Sequence, residues 1–301
     1  MSAALEATSD ISCCASCGKS EGDYDVKLKK CGGCELVKYC SVECQKNHRP
    51  KHKRACRQRA AELRDDRLFR QPDESHIGEC PICCLPLPLG YHKSGINSCC
   101  CKLICLGCGY ANITREREQG LEPKCPYCRE PLPDSREEFE PNLMKRVKTN
   151  DPAAIRELGK RCCDTGDYNR AFEHFTQAAE LGDIEAHYEL SVFYQKGQGV
   201  ERDMKKEAYH LEEASIGGHP DARNNLGCIE QERGMIDRAF KHWIIAAKQG
   251  YDNALEATKK GFAHGYVSKD DYAAALRGHQ AAVDATKSKQ REEAYKFWQS
   301  S

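Results

Sequence analysis

What this 301-residue chain lacks narrows its chemistry before any motif is read. Its 46 basic residues are matched by 46 acidic ones, a formal net charge of zero, so no long-range field gathers nucleic acid or an anionic membrane. Its apolar stretches fall well short of the ~18 residues a membrane helix needs. The opening residues Met1 to Ile11 are small and polar, without the apolar segment of a secretory signal. The expectation is a soluble protein of the cytoplasm or nucleus, with no membrane partner. The first half is also too short and polar to fold around a core of ordinary size.

Cysteine is what that half has instead: eighteen of the 21 fall within the first 128 residues. With no secretory signal they read as reduced thiolates on metal rather than as disulfides. The first run is Cys14-x2-Cys17, Cys31-x2-Cys34, Cys40-x3-Cys44 and His52-x3-Cys56. Seven thiolates and one imidazole make two tetrahedral zinc sites with no ligand left over. Metal binding, on the order of 10 kcal/mol or more per site, is then the folding free energy of this segment. His52 and Cys56 stand at i and i+4, one face of a short helix.

Over Cys14 to Cys56 the spacing, Tyr39-Cys40-Ser41-x2-Cys44-Gln45-Lys46 and His52-Lys53-x2-Cys56 resemble the MYND zinc finger. The resemblance implies interleaved sites, with Cys14, Cys17, Cys40 and Cys44 on one zinc and Cys31, Cys34, His52 and Cys56 on the other. It also implies a module that binds proline-containing peptides. Where the family usually has tryptophan this chain has His48. The basic run from Lys46 to Arg59 is accounted for by the finger and a solvated helical face, so no nucleic-acid partner is expected.

A second module reads Cys80-Pro81-Ile82-Cys83, Cys99-Cys100-Cys101, Cys105-x2-Cys108 and Cys125-Pro126-Tyr127-Cys128-Arg129. It resembles a RING-type zinc finger, which implies one or two cross-braced zincs. Cys80, Cys83, Cys105 and Cys108 would form the first site, and Cys125 with Cys128 half of the second. The position where a RING supplies histidine corresponds to Lys102, and a protonated lysine cannot bind zinc. Cys99, Cys100, Cys101 and, more distantly, His92 are the candidates for the missing pair; Cys100 and Cys101 are taken forward. RING modules that recruit a ubiquitin-conjugating enzyme carry residues matched here by Ile82, Pro126 and Arg129, the arginine bracing the ubiquitin thioester with its fork of donors.

Two other chemistries fail on local grounds. The Cys125-Pro-Tyr-Cys128 frame would need a following helix to lower its thiol pKa, and Pro123, Pro131 and Pro133 forbid one of useful length. A zinc deaminase needs His-x-Glu ahead of Pro-Cys-x2-Cys, and His76-Ile-Gly-Glu79 has the wrong spacing.

Beyond Asp151 the chain repeats itself. Ala154, Ala186 and Ala222 align, as do Gly182, Gly218 and Gly250, at offsets of 32 and 36 residues. Each unit reads as two antiparallel helices, with Phe175, Leu211 and Trp243 filling the space between turns. A fourth, weaker unit begins at Ala254, and Ser268 caps the last long helix. The units resemble Sel-one-like repeats, cousins of the tetratricopeptide repeat, which implies a solenoid whose concave surface holds proteins. This half carries no phosphate loop, nucleophile pattern or carboxylate pair. His174, His210 and His242 read as packing or surface residues.

The expected fold class is small zinc-stabilised modules followed by an all-α helical-repeat solenoid. The expected segments are a disordered start (1–12), the MYND-type finger (13–56), a charged helical linker (57–79), the RING-like finger (80–130), a linker (131–150), the solenoid (151–286) and a tail or helix end (287–301). The expected function is a zinc-binding interaction scaffold or adaptor. The alternative is a RING-type ubiquitin ligase, with no nucleophile of its own, that selects substrates through the finger and solenoid.

Overall fold

Where thiols replace a hydrophobic core, regular structure is short. The computed structural model describes residues 12–22, 26–133 and 135–300; residues 1–11, expected to be disordered, lie outside the described residues. The chain divides into two compact units, Met1–Arg70 and Gln71–Ser301.

In the first unit, β1 (Lys29–Lys30) pairs antiparallel with β2 (Lys38–Tyr39). They lead into α1 (Val42–Leu68), whose N-cap Ser41 accepts the Cys44 N–H. The buried cluster here is Leu28 and Tyr39 with Cys14, Cys31 and Cys34, too small to hold a fold without metal. The helix runs on past Cys56, so residues 57–68 are helical and continuous with the last turn of the finger.

The second unit opens with β3 (Ser94–Ile96), antiparallel to β4 (Leu103–Cys105), and α2 (Leu106–Glu118). After α3 (Arg136–Val147) come the repeats: α4 (Pro152–Asp164) with α5 (Tyr168–Glu180), α6 (Ile184–Lys196) with α7 (Met204–Ile216), and α8 (Pro220–Glu232) with α9 (Ile236–Lys248). The fourth pair is α10 (Asp252–Ala263) with α11 (Lys269–Ala285), Ser268 capping the latter through the Asp271 N–H.

Recurrent devices make each pair. Asp151, Asp183 and His219 cap the first helices by accepting N–H groups two to three residues on. Gly182, Gly218 and Gly250 turn the chain between pairs with φ of 88–89°, where a side chain would be strained. Gly159 and Gly227 let the rings of Phe175 and Trp243 close in; an added Cβ would meet them at 2.8 and 2.5 Å. Phe175, Leu211 and Trp243 are buried as expected.

Two relationships depart from a string of separate modules. Cys101 of the cysteine-rich segment shares a buried cluster with Leu143 of α3 and Ala154 and Leu158 of α4, and the half-buried Ile96 packs against it. The segment 287–301, expected as a tail or helix end, contains a helix of its own, α12 (Lys289–Gln299), which packs against α2; residue 301 lies outside the described residues.

Candidate metal centres

Four groups of side chains have the ligand number and spacing of a tetrahedral metal centre. Within each, the ligand atoms all lie within 4.8 Å of one another. A ~2.3 Å zinc–sulfur bond in a tetrahedron sets sulfur–sulfur edges of roughly 3.8 Å. No cysteine pair among the described residues is a disulfide.

In the first unit, Cys14, Cys17, Cys40 and Cys44 form one group and Cys31, Cys34, His52 and Cys56 the other. The Sγ atoms of Cys17 and Cys40, and of Cys40 and Cys44, are 3.5 Å apart; those of Cys31 and Cys56 are 3.7 Å apart. His52 turns Nε2 to within 3.1 Å of Cys34 Sγ. Hydrogen bonds shared with Cys17 and Cys44 push the Cys40 thiol up to about 12, as happens where crowded thiols ionise together only around a cation. His48, at the family's tryptophan position, stacks on His52 with ring centres 5.5 Å apart and meets the Tyr39 hydroxyl at 3.0 Å. It braces His52 instead of offering an indole face.

In the second unit, Cys80, Cys83, Cys105 and Cys108 form the third group, with Cys83 and Cys105 Sγ 3.9 Å apart. Burial opposes ionisation of Cys80, but backbone N–H groups of Cys105, Cys83 and Ile82 outweigh it and bring the thiol down to about 7. The fourth group is Cys99, Cys100, Cys125 and Cys128, with Sγ distances of 3.3 Å for Cys99–Cys128 and 3.8 Å for Cys100–Cys125.

That fourth group corrects the choice of Cys100 with Cys101. The backbone gives the reason. Gly18, Glu35, Cys84 and Arg129 each follow a Cys-x2-Cys pair, have positive φ, and donate N–H to the first cysteine's carbonyl. Cys101 occupies the same place after Asn97-x2-Cys100: its φ is 52° and its N–H reaches Asn97 O at 2.7 Å. A residue there points away from the turn. Its thiol is buried beside Leu143 and Leu158 and, by that burial, pushed up to about 12. Asn97 stands in for the first cysteine of the pair, its amide donating to Cys125 Sγ at 3.4 Å. Lys102 is exposed, and His92, in the 3-10 turn Tyr91–Lys93, belongs to none of the ligand groups found among the described residues.

Of the docking residues expected from the RING resemblance, Ile82 is 40% exposed and the neighbouring Tyr127 49%, while Pro126 is half-buried. Arg129 is drawn to the buried Glu116 at 2.8 Å. These side chains belong to the loops of the third and fourth groups.

A further cluster, His76, Glu185 and His219, also has its ligand atoms within 4.8 Å, but its hydrogen bonds run the wrong way for a metal. His219 Nδ1 accepts the Ala222 N–H at 3.3 Å, which puts the ring proton on Nε2, 3.2 Å from Glu185. A metal on Nε2 would require an N–H on that Nδ1. His76 Nε2 lies 3.3 Å from the same oxygen. The arrangement clasps residues 71–79 to α6 and α8 at the edge of a 590 Å³ cleft.

The comparisons agree with both ends of the chain. Residues 14–56 match the MYND finger model, and 152–183, 184–219 and 220–251 match the Sel1 repeat model. A segment of 104 residues is 30% identical to chitin synthase regulatory factor 4 of Schizosaccharomyces pombe, covering 34% of this chain and 16% of that protein. Among solved structures, a Sel1 repeat protein from Oxalobacter formigenes is similar at 20% identity and a TM-score of 0.44, over 60% of this chain and 72% of that one. A protective antigen of uropathogenic Escherichia coli with an SLR fold aligns at 20% identity and a TM-score of 0.40, over 56% and 37%. No helix of the described residues is long and apolar enough to cross a membrane. The chain thus carries a MYND finger at 14–56 and three Sel1 repeats at 152–251, and the thiolate groups between the two are compatible with a RING-like module.

Proposed function

We propose that this protein is a zinc-dependent adaptor in which the MYND finger (13–56) and the solenoid (151–286) each engage a protein and the RING-like segment (80–130) joins them. The observation that carries this reading is that all four groups are closed: each offers four protein ligands. A catalytic zinc keeps a coordination position for water or substrate, whereas a structural one does not. The ligands assigned are Cys14, Cys17, Cys40 and Cys44; Cys31, Cys34, His52 and Cys56; Cys80, Cys83, Cys105 and Cys108; and Cys99, Cys100, Cys125 and Cys128. Bound there, zinc supplies fold and rigidity, and recognition is left to the surfaces the centres hold in place. Two kinds of recognition module on one chain give the linkage an adaptor needs, because the second partner then binds at a raised effective concentration. The name of the yeast relative, a regulatory factor, is in keeping with action on another protein.

The test is fluorescence anisotropy of proline-containing peptides against the zinc-loaded chain, with Cys34→Ser as control. Saturable binding that the substitution abolishes, with the helical half still folded, supports the adaptor. No binding across a broad peptide set, at full zinc content, removes the finger from the reading.

The exposure of Ile82, Tyr127 and Arg129 favours a second reading, a RING-type ligase. Such a ligase holds a charged conjugating enzyme near substrate lysine and supplies no nucleophile. Ubiquitin discharge from a panel of conjugating enzymes decides it: acceleration lost in both Cys80→Ser and Arg129→Ala supports a ligase, and no acceleration leaves the adaptor.

A further inference from the structure

Arg291 is 1% exposed, yet among the described residues no carboxylate pairs with it. Its guanidinium donates to Pro86 O and Thr286 O at 2.7 Å, to Leu85 O at 3.3 Å, and to Cys83 Sγ at 3.3 Å. A buried cation without a compensating anion is strongly unfavourable. The sulfur is the one acceptor of the four that can carry full negative charge, and a divalent ion held by four thiolates leaves net negative charge at the centre. Arg291 thus places its guanidinium where the net negative charge of four thiolates on a divalent ion would be met, and α12 is the element that brings it there. The helix is seated closely: an added Cβ on Gly107, between the ligands Cys105 and Cys108, would lie 2.9 Å from the Arg291 backbone. At the far end the Phe297 ring packs on Tyr110 of α2, centres 4.8 Å apart.

We propose that Arg291 is the outer-shell counter-cation of the Cys80–Cys83–Cys105–Cys108 centre, so that this centre keeps its metal firmly only while the carboxyl-terminal helix is docked on α2. The inference rests on the zinc reading of that group. It makes α12 a positioning element for the loop that presents Ile82, because Arg291 holds Cys83, Leu85 and Pro86 on the far side of that residue. The fourth centre offers a contrast, since Asn97 there donates to Cys125 Sγ as a neutral amide.

The experiment follows zinc transfer from the full-length, zinc-loaded chain to a coloured chelator, with Cys80→Ser marking the phase that belongs to the third centre. In Arg291→Ala that phase is expected to run about tenfold to a hundredfold faster, the usual effect of removing an outer-shell partner. The other phases should keep their wild-type rates. Arg291→Lys keeps the charge but loses the fork and should fall between. Wild-type rates in every phase of Arg291→Ala overturn the proposal, and so does equal acceleration of all phases. Should Arg291→Ala fail to fold, Phe297→Ala loosens α12 away from the thiols: acceleration confined to the same phase supports the coupling, and an unchanged rate overturns it. If wild-type zinc content does not drop in Cys80→Ser, the zinc reading of the centre fails instead.

Discussion

The guanidinium of Arg129 lies 2.8 Å from a carboxylate oxygen of Glu116, although the two residues differ sharply in exposure. The arginine side chain is 55% exposed and the glutamate 3%. Glu116 also accepts the Lys124 N–H at 2.7 Å and the Asn112 amide at 3.1 Å, so it ties α2 to the loop that carries Cys125. The arginine is an outer guest of that network. Glu116→Ala leaves a backbone N–H and a side-chain amide short of an acceptor and should cost about 2 kcal/mol. Arg129→Ala, which breaks a mostly solvated pair, should cost less than about 1 kcal/mol. Urea denaturation of the two variants checks the order. A greater loss from Arg129→Ala would show that the pair, rather than the backbone contact, holds the loop.

The left-handed position after each cysteine pair separates two adjacent thiols. Cys99→Ser should remove one equivalent of zinc, because its sulfur faces Cys128 at 3.3 Å. Cys101→Ser should leave the metal content unchanged and cost on the order of 1 kcal/mol, as a hydroxyl replaces a buried sulfur beside Leu143 and Leu158. Elemental analysis of purified variants decides the assignment, and zinc loss in Cys101→Ser would reverse it.

What the sequence made legible follows from the range of each interaction. The ligand pairs are local: a Cys-x2-Cys spacing dictates its own turn, so Cys14, Cys31, Cys80 and Cys125 could be picked out from neighbours alone. The repeats declare themselves through Ala154, Ala186 and Ala222 and through Gly182, Gly218 and Gly250 at offsets of 32 and 36 residues. The choice between Cys99 and Cys101 depends on the sign of one φ angle, for which Asn97 in place of a first cysteine was the only cue. α12 is legible only as a tail or helix end, and its docking on α2 is not. Ala294, Tyr295, Phe297 and Trp298 lie at helical spacing, but its buried residues are Arg291 and Ala294, and no local pattern says what that face packs against. Its partner Cys83 lies 208 residues away.

Close packing in the solenoid gives a test of the helix pairing. At Gly227 a methyl group would lie 2.5 Å from the Trp243 indole nitrogen, whereas at Gly234 nothing lies within 4 Å but φ is +76°. Gly227→Ala should therefore lose about 1–3 kcal/mol through overpacking, and Trp243→Leu in the same chain should recover part of it, since the two residues touch. Gly234→Ala loses stability through backbone strain instead, and no neighbouring truncation rescues it. Thermal melts of the three chains separate the mechanisms; equal rescue at both glycines would contradict the contact.

Buried histidines make the helical half sensitive to acid. His242 is held down to about 3 by burial and by the charges of Arg223 and Arg238, and His210 to about 4 by burial, His187 and Lys206. In the unfolded chain both titrate near ~6.5. Above that value neither state binds the proton and the term vanishes. As pH falls from 6.5 toward 4 the unfolded state gains protons that the folded state refuses, so stability drops, by about 1.4 kcal/mol per pH unit for each fully buried histidine. The solvated part of the His210 ring reduces its share. For a unit of this size the combined loss is on the order of 5–10 °C in melting temperature per pH unit. Thiolate centres also shed metal in acid, so the diagnostic quantity is the difference between wild type and His242→Gln. Over pH 6.5–5.0 the variant should melt with a shallower pH slope at equal zinc content. Parallel slopes would mean that His242 takes up its proton in the folded chain as readily as in the unfolded one.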